Sequence, residues 1–402
     1  MTKSKIPKFT SYPPRGIFYY AFFSKSPPGD LGVKIFRDLM TLLLLVFIIT
    51  PKTLSQDIES SLANIKIGML ITDNKSVAAV QGAELAIGEA NEKGGLNGHH
   101  FQLVVRSMEG PWGTGSKQAV DLIFEEKVWA LFGLHDGRNA HLVEQAATRS
   151  IVVFVSAWTG DPTLSQAFVP WFFNCVPNNN QQAASLLEEI YNNRKFKNTA
   201  IISDNDYDSK SGLNSFLQTV KESGKHDPVQ FSWDVYCRDP EAFTENIIKS
   251  GAECIILFCQ PGACLKIAQQ IRQKRMTILL YGSLIILNEN ELSSQELKAF
   301  DNILSIPSGE WPGSENLAFR QKFQKTYNRM PGLVASYSYD GMKVLIEAIK
   351  NAGSSDREMI QKALENIHYK GVTGIIQFDG KGNRSGNFKV MKTNDGVPVN
   401  SD

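Results

Sequence analysis

Residues 129–182 constrain the fold of this chain more than any other stretch. A short apolar run, a loop bearing Gly, Ser or Thr, and a helical pattern occur there in that order, and the order then repeats. The apolar runs 129–132 and 151–155 predict parallel strands buried on both faces. The polar loops 133–139 and 156–161 then lie at the edge of an open α/β sheet where ligands bind. Backbone N–H groups in such loops hold a carboxylate without any catalytic residue, which favours a binding protein over an enzyme.

Length and charge narrow the class further. At 402 residues the chain is longer than a typical domain, so we expect two lobes. Its 42 Lys and Arg residues nearly balance 41 Asp and Glu residues, which gives no electrostatic reason to expect a nucleic-acid partner. Five cysteines cannot all pair with one another, so disulfides are not expected to be the main source of stability. We expect a monomer.

The N-terminal segment predicts export. An apolar run of 12 residues from Leu39 to Thr50 follows Lys34 and Arg37. A membrane-spanning helix needs about 20 apolar residues, so this run is typical of the core of a secretory signal. We assign residues 1–56 to a disordered leader and this signal, which predicts a periplasmic protein. The alternatives are a buried core helix or a short uncleaved anchor.

Strand and helix patterns alternate along the rest of the chain. The predicted strands of a first unit are 65–71, 101–106, 129–132 and 151–155, and those of a second unit are 199–203, 230–235, 254–258 and 277–281. Helical patterns lie between them, which indicates two parallel-sheet lobes of similar design. The tail carries helical patterns at 315–327, 336–352 and 357–366 and strands at 374–378 and 388–391. So few strands cannot form a third sheet, so we expect the tail to complete the two lobes and the chain to cross between them more than once.

Several segments resemble one family closely. They are IKIGMLI, QGAELAIGEANEKGGLNG, ALFG, FVSAWTGDPTL, VPWFFNCVPNNNQQA, DNDYDSKSG, SYSYDGMKVLIEAIKNAG and GIIQFDGKGNR. From about residue 65 to residue 391 the chain resembles the periplasmic substrate-binding proteins of branched-chain amino acid ABC transporters, the type I class. The resemblance implies two Rossmann-like, doubly wound lobes joined by a three-crossing hinge. The implied lobes are residues 64–176 with 312–373, and residues 177–311 with 374–402.

The resemblance also implies a ligand site in the cleft. In the family, loops after the third and fourth strands hold the ligand carboxylate, and they match His135–Arg138 and Ala157–Gly160. Within these loops the candidate ligand residues are Asp136, Gly137, Arg138, Trp158, Thr159 and Gly160. The aromatic residue that closes the site matches Tyr207. The acidic residue that meets the ligand ammonium falls near Ser283 and Leu284, where this chain has no acid. Unless Asp136 replaces it, an amino acid ligand loses its main cationic partner, so the ligand's identity stays open.

Three of these candidate ligand residues also have a structural role as an alternative. Trp158 either packs on the ligand or belongs to the core of a lobe. Asp136 either receives an ammonium group or caps the helix that starts near Asn139. Arg138 either pairs with a carboxylate or is a solvated residue at a helix end.

The sequence contains no complete metal-binding or enzyme motif. The segment Asp204–Lys210 superficially resembles a calcium loop, but Ser209 and Ser215 stand where that loop needs glycine and glutamate. The spacing of Cys254, Cys259 and Cys264 does not match a zinc site. The sequence has no phosphate loop, nucleophile elbow or HExxH motif. We therefore expect no metal, no cofactor and no catalytic residue.

These patterns favour a secreted receptor that closes around a small ligand, either an amino acid or a related carboxylate or amide, and delivers it to a membrane permease of an ABC transporter. The alternative is a membrane-tethered ligand-sensing module of the same fold, and a hydrolase ranks last.

Overall fold

The structure is a computed structural model that describes residues 64–166, 170–234, 239–274, 277–309, 311 and 313–399. The predicted leader and signal at 1–56 therefore lie outside the described residues. Within the described part of the chain, every helix is too short or too polar to cross a membrane.

The first lobe is built on a five-stranded parallel sheet in the order β2-β1-β3-β4-β5. Its strands are β1 (Ile65–Ile71), β2 (Phe101–Ser107), β3 (Ala130–Leu134), β4 (Phe154–Ser156) and β5 (Phe172–Asn174). The helices that follow β1, β2 and β3 are α1 (Val77–Glu92), α2 (Thr114–Phe124) and α3 (Gly137–Arg149). Strand β3 is apolar throughout and β1 is apolar except for Lys66, because helices cover both faces of the sheet.

The second lobe is built on a seven-stranded mixed sheet in the order β14-β13-β10-β9-β8-β6-β7. Its strands are β6 (Thr199–Ser203), β7 (Val229–Ser232), β8 (Cys254–Phe258), β9 (Leu279–Gly282), β10 (Leu304–Ser308), β13 (Lys389–Asn394) and β14 (Val397–Val399). The main helices of this lobe are α4 (Asn179–Leu187), α5 (Tyr207–Ser223), α6 (Pro240–Lys249) and α7 (Pro261–Gln273), with a short α8 (Ser294–Leu297). Strand β13 pairs with β10 in antiparallel register, so the tail completes this sheet.

Three more helices follow β10, namely α9 (Gly313–Tyr327), α10 (Leu333–Ala352) and α11 (Arg357–Glu365), before the small pair β11 (Tyr369–Gly371) and β12 (Gly374–Ile376). The buried α10 packs against α1, and the Ser338 hydroxyl donates to the Ala79 carbonyl oxygen. The chain thus passes between the two sheets after β5, after β10 and after β12. The predicted α/β fold with two lobes and a three-crossing hinge is confirmed, while the residue bounds of the lobes stay a prediction.

The three crossings meet at the guanidinium of Arg384, which is 1% exposed. Arg384 lies in the third crossing and donates to the Cys175 carbonyl oxygen in the first crossing at 2.9 Å, and to the Thr373 and Ile375 carbonyl oxygens beside and within β12 at 2.8 and 2.9 Å. In the second crossing, a Cβ added to Gly309 would lie 3.3 Å from an Arg384 nitrogen. One buried side chain therefore bonds to the first connection from the third and lies close to the second.

The predicted strands 199–203 and 254–258 match β6 and β8. The strand predicted at 151–155 was wrong at its start: Ile151 is 49% exposed with φ of 55°, and β4 begins only at Phe154. The loop predicted at 133–139 is also shorter than expected, because β3 continues to Leu134 and α3 begins at Gly137.

Candidate functional site

A cavity of about 300 Å³ lies between the lobes. Its lining from the first lobe is Thr72, Asp136, Arg138, Asn139 and Trp158. Its lining from the second lobe is Asp206, Tyr207, Asp208, Gln260, Pro261, Ile285, Asn288 and Glu291. Because both lobes contribute, a solute held here contacts both halves of the molecule.

The carboxyl ends of parallel strands position these groups. Thr72 follows β1 directly, and Asp136 and Trp158 lie in the turns after β3 and β4. Tyr207 and Pro261 are the first residues of α5 and α7, which follow β6 and β8. The carboxyl-terminal edges of both sheets thus face the cavity, as expected for ligand sites in open α/β sheets.

Four of the eight predicted ligand residues, Asp136, Arg138, Trp158 and Tyr207, line the cavity. The other four lie behind its wall: Gly137, Thr159, Gly160 and Ser283. The Thr159 hydroxyl accepts from the Asp161 N–H, and the Gly160 carbonyl oxygen accepts from the Asn179 N–H at 2.7 Å. Near Ser283, the N–H of Leu284 donates to the Gln182 side chain. The role of all eight as ligand contacts stays a prediction.

For two of these residues, the structural interpretation is confirmed, and because both also line the cavity, the ligand role stays a prediction. The Asp136 carboxylate accepts from the Asn139 N–H at 2.9 Å, so it caps α3 while it also lines the cavity. Trp158 is 9% exposed and packs in the core, yet it forms part of the cavity wall. Arg138 is exposed near the start of α3, as its structural interpretation predicts, and its guanidinium carbon lies 5.5 Å from the centre of the Tyr207 ring.

Two hydrogen bonds cross the cleft beside the cavity. The Tyr207 hydroxyl donates to the Asp161 carboxylate at 2.7 Å. The Gly137 N–H donates to the Asp208 carboxylate at 3.0 Å. Each bond joins a loop of the first lobe to the first turn of α5, so the structure represents a closed arrangement of the lobes.

The two carboxyl groups in these bonds have opposite pKa shifts. Burial, together with the neighbouring carboxylates of Asp136 and Asp206, raises the pKa of Asp208 to about 7, against the lowering effect of the Gly137 N–H. Burial also acts to raise the pKa of Asp161, but hydrogen bonds from His141, Thr163 and Tyr207 outweigh it and lower this pKa to about 2. Near neutral pH the cleft therefore holds a carboxylate at Asp161 and a carboxyl group at Asp208 that readily gains or loses a proton.

Sequence reasoning missed several lining residues, above all Asp206, Asp208, Gln260 and Glu291. The first two belong to the DNDYDSK segment, in which Tyr207 was the predicted ligand residue and the carboxylates were interpreted only as calcium ligands. No group of His, Cys, Asp or Glu within the described ranges is arranged to hold a metal ion. Their position at the end of a lobe-two strand, beside the predicted Tyr207, was the signal that could have found Asp206 and Asp208.

Two hinged α/β lobes around a solute-sized cavity define the class of periplasmic binding proteins. Residues 64–396 match the family model described as periplasmic binding protein, and the chain belongs to this family. The chain is 24% identical over 341 residues to the Leu/Ile/Val-binding protein homolog 2 of Brucella abortus (strain 2308), covering 83% of this chain and 91% of that protein.

Two solved structures share the fold. The branched-chain amino acid transporter substrate-binding protein LivJ from Streptococcus pneumoniae, in complex with isoleucine, superimposes with a TM-score of 0.71 at 20% identity, over 83% of this chain and 97% of that one. A solute-binding protein of an ABC transporter from R. palustris, in complex with benzoate, gives a TM-score of 0.70 at 19% identity, over 84% and 95%. The family consists of binding proteins rather than enzymes, and membership implies a periplasmic location.

Proposed function

We propose that this protein is the substrate-binding component of an ABC transporter and that it captures an amino acid or a related small carboxylate or amide in the cleft between its lobes. The observation that carries the proposal is the cavity lined from both lobes, at the carboxyl ends of both sheets. Its volume of about 300 Å³ is at the lower end of the range for small-molecule sites, which suits a solute of this size.

Capture works through closure. A solute that contacts both Trp158 and Tyr207 binds the closed arrangement more tightly than the open one, so it shifts the population toward closure. The bonds from Tyr207 to Asp161 and from Gly137 to Asp208 cross the cleft, so they form only when the lobes meet. They add to the stability of the closed, loaded form that a permease would recognise.

The experiment is isothermal calorimetry of the mature protein against a panel of amino acids, carboxylates and amides, with small-angle X-ray scattering in parallel. We expect at least one solute to bind and to reduce the radius of gyration. As a matched pair, Tyr207→Ala should lose this binding and Tyr191→Phe should keep it, since Tyr191 bonds to Thr199 inside the second lobe. A panel in which no solute produces heat or compaction contradicts the proposal.

The transport role further requires export and a permease. Residues 39–50 are proposed as the signal that sends the chain to the periplasm. Cell fractionation separates this function from a membrane-tethered sensor: recovery in the soluble periplasmic fraction supports transport, and recovery with membranes supports tethering. Loss of solute uptake on deletion of the gene, restored by the full chain, would link the protein to its permease.

A further inference from the structure

The cavity between the lobes has an unbalanced charge. Four carboxyl groups line it, from Asp136, Asp206, Asp208 and Glu291. Among the described lining residues, Arg138 is the one base. The two lobes share in this imbalance, since Asp136 comes from the first lobe and the other three acids come from the second.

The hydrogen bonds that these four carboxyl groups accept come from neutral donors. Asp136 accepts from Asn139, Asp206 accepts from a backbone N–H at the start of α5, and Glu291 accepts from the Asn288 side chain at 2.7 Å. None of the ion pairs found in the described part of the chain includes any of the four. Negative charge in a partly enclosed cavity is costly unless a cation pairs with it.

Arg138 does not supply that cation to the acids. Its guanidinium lies over the ring of Tyr207, and the hydroxyl of that ring is bound to Asp161. The guanidinium is therefore directed to the aromatic wall. One neighbouring cavity, which shares Glu291, adds Asp73 and Lys75, so its own further charges cancel. Another, which shares Arg138 and Tyr207, adds His141, Glu144 and Arg149 on the side away from Glu291.

The backbone N–H group expected to bind a ligand carboxylate already has a partner in the structure. The N–H of Gly137 heads α3, and the resemblance assigned this loop to the carboxylate of the ligand. In the structure this N–H donates at 3.0 Å to Asp208, so the second lobe supplies its own carboxyl group there. A ligand carboxylate in this position would face several negative side chains.

Resting on the proposed function, we infer that the cleft selects a small organic cation, with a primary ammonium group and a net positive charge, over zwitterions and carboxylates. The ammonium lies among Asp206, Asp208 and Glu291, and the apolar part of the ligand packs on Trp158 and Ile285. An amino acid amide, an alkylamine or a basic amino acid satisfies this description, whereas leucine does not.

The test compares ligands of one carbon skeleton by calorimetry at pH 7.5: leucinamide, isoamylamine, leucine and isocaproate, with lysine and putrescine as further cations. We expect the best cation to bind at least about tenfold more tightly than leucine, a difference of about 1.4 kcal/mol, and isocaproate not to bind. Asp206→Asn should reduce the preference for the cation. Glu125→Gln removes the same charge from an exposed position outside the cavity and should leave the preference unchanged.

The outcomes separate this inference from the proposed function. Binding of leucine or isocaproate as tight as that of every cation overturns the inference and leaves the binding function in place. If no cation binds while another solute of the wider panel does, the inference is again overturned alone. If nothing binds in either panel, both proposals are overturned.

A second inference rests on two cysteines. Cys259 follows β8 directly and Cys264 lies in the first turns of α7. Their sulfur atoms are 2.8 Å apart, and both side chains are fully buried. The segment between them contains Gln260 and Pro261, which line the cavity.

We propose that Cys259 and Cys264 form a disulfide in the exported protein. Disulfides form in oxidising compartments such as the periplasm, by exchange with an oxidised dithiol catalyst. The two thiols lose two protons and two electrons, one S–S bond forms, and the catalyst's disulfide is reduced to two thiols. The reaction precedes burial, because burial raises the pKa of the folded Cys259 thiol and exchange needs a thiolate. The bond would fix the segment that carries Gln260 and Pro261.

The test is alkylation of protein exported to a bacterial periplasm, unfolded in guanidinium with and without a reductant, followed by peptide mass spectrometry. We expect Cys175, Cys237 and Cys254 to be alkylated directly, and Cys259 and Cys264 only after reduction. The double variant Cys259→Ser/Cys264→Ser should give the same three alkylated thiols under both conditions. Direct alkylation of all five cysteines, or any other pairing, overturns the proposal.

Discussion

Glu289 and Asn290, two consecutive residues of the second lobe, cap two different helices of the first lobe. The Glu289 carboxylate accepts from the N–H groups of Val334 and Ala335 at 2.8 and 2.7 Å, in the first turn of α10. The Asn290 side chain accepts from the N–H of Ala78 at 2.9 Å, in the first turn of α1. The first N–H groups of a helix have no partner within the helix, so closure of the cleft satisfies groups that opening exposes to water.

Replacing Asn290 by Ala should weaken solute binding. The variant removes the acceptor for the Ala78 N–H, and loss of such a cap costs about 1 kcal/mol, or roughly fivefold in affinity if the bond exists only in the closed form. Calorimetry with the best solute measures the change. As a control, Asp356→Ala removes the cap of α11. The Asp356 carboxylate accepts hydrogen bonds from the N–H groups of Glu358 and Met359 in that helix, within one lobe. This control variant should lower stability and leave affinity unchanged, and equal effects of the two variants on affinity would refute the cross-cleft role.

Tyr207→Phe should weaken binding by about tenfold. The variant keeps the aromatic wall but loses the 2.7 Å bond to the Asp161 carboxylate, and hydrogen bonds to charged groups contribute about 1.5–3 kcal/mol. The net loss of binding free energy is smaller than this, because His141 and Thr163 still bond to Asp161. Tyr191→Phe, within the second lobe, is the control for fluorescence or calorimetric titration. An unchanged dissociation constant for Tyr207→Phe would show that the bond does not support closure.

The stability of the ligand-free protein should fall as pH rises from about 4 to about 7. The pKa of Asp208 is raised from 3.8 to about 7, so the folded protein keeps a proton that the unfolded chain loses, and this contribution is full below pH 3.8 and lost through pH 7. Asp136, Asp206 and Asp161 face this group and disfavour its charge, and Arg138 lies beside the same cavity.

The measurement is the free energy of unfolding in urea at pH 4.5, 6 and 7.5 for the wild type and for Asp208→Asn. The bond to Asp161 also raises the pKa of His141, so this residue likewise lowers stability as pH rises. Its effect is present in both proteins and cancels in the comparison. The loss of stability with pH should therefore be smaller in the variant. Parallel curves would contradict the assignment to Asp208.

Arg384→Lys should reduce the free energy of unfolding by about 2–3 kcal/mol, because an ammonium group cannot reach three carbonyl oxygens in the directions that the guanidinium fork serves. The Cys175, Thr373 and Ile375 carbonyl oxygens would lose buried donors. Urea unfolding measures the change. Arg149→Lys, at an exposed position in the last turn of α3, should change stability by less than about 0.5 kcal/mol. Similar values for the two variants would contradict a role of Arg384 in joining the crossings.

The sequence predicted the main elements well where apolar runs were long. Short or interrupted strands were missed, among them Phe172–Asn174, Leu304–Ser308 and Val397–Val399. The last two contain Pro307 and Pro398, and proline disfavours a strand because it cannot donate to a sheet. Ile151 was assigned to a strand because it begins the apolar run 151–155, yet it lies in the exposed turn after α3.

The cavity was harder to predict than the fold. Tyr207 and Asp136 were accessible to sequence reasoning because they follow buried strands. The pairing of Gly137 with Asp208 was not, since these residues are 71 positions apart and meet only when the lobes close. The caps supplied by Glu289 and Asn290 depend on the same closure, so no local pattern could have indicated them.

The meeting of three connections at one guanidinium limits how the halves of the molecule can separate. Because the connections pack together around Arg384, we expect the halves to open by pivoting about this point. A protease nick in any one connection should therefore leave the fragments associated, since the pairing of β13 with β10 and the packing of α10 on α1 add to the contacts at Arg384.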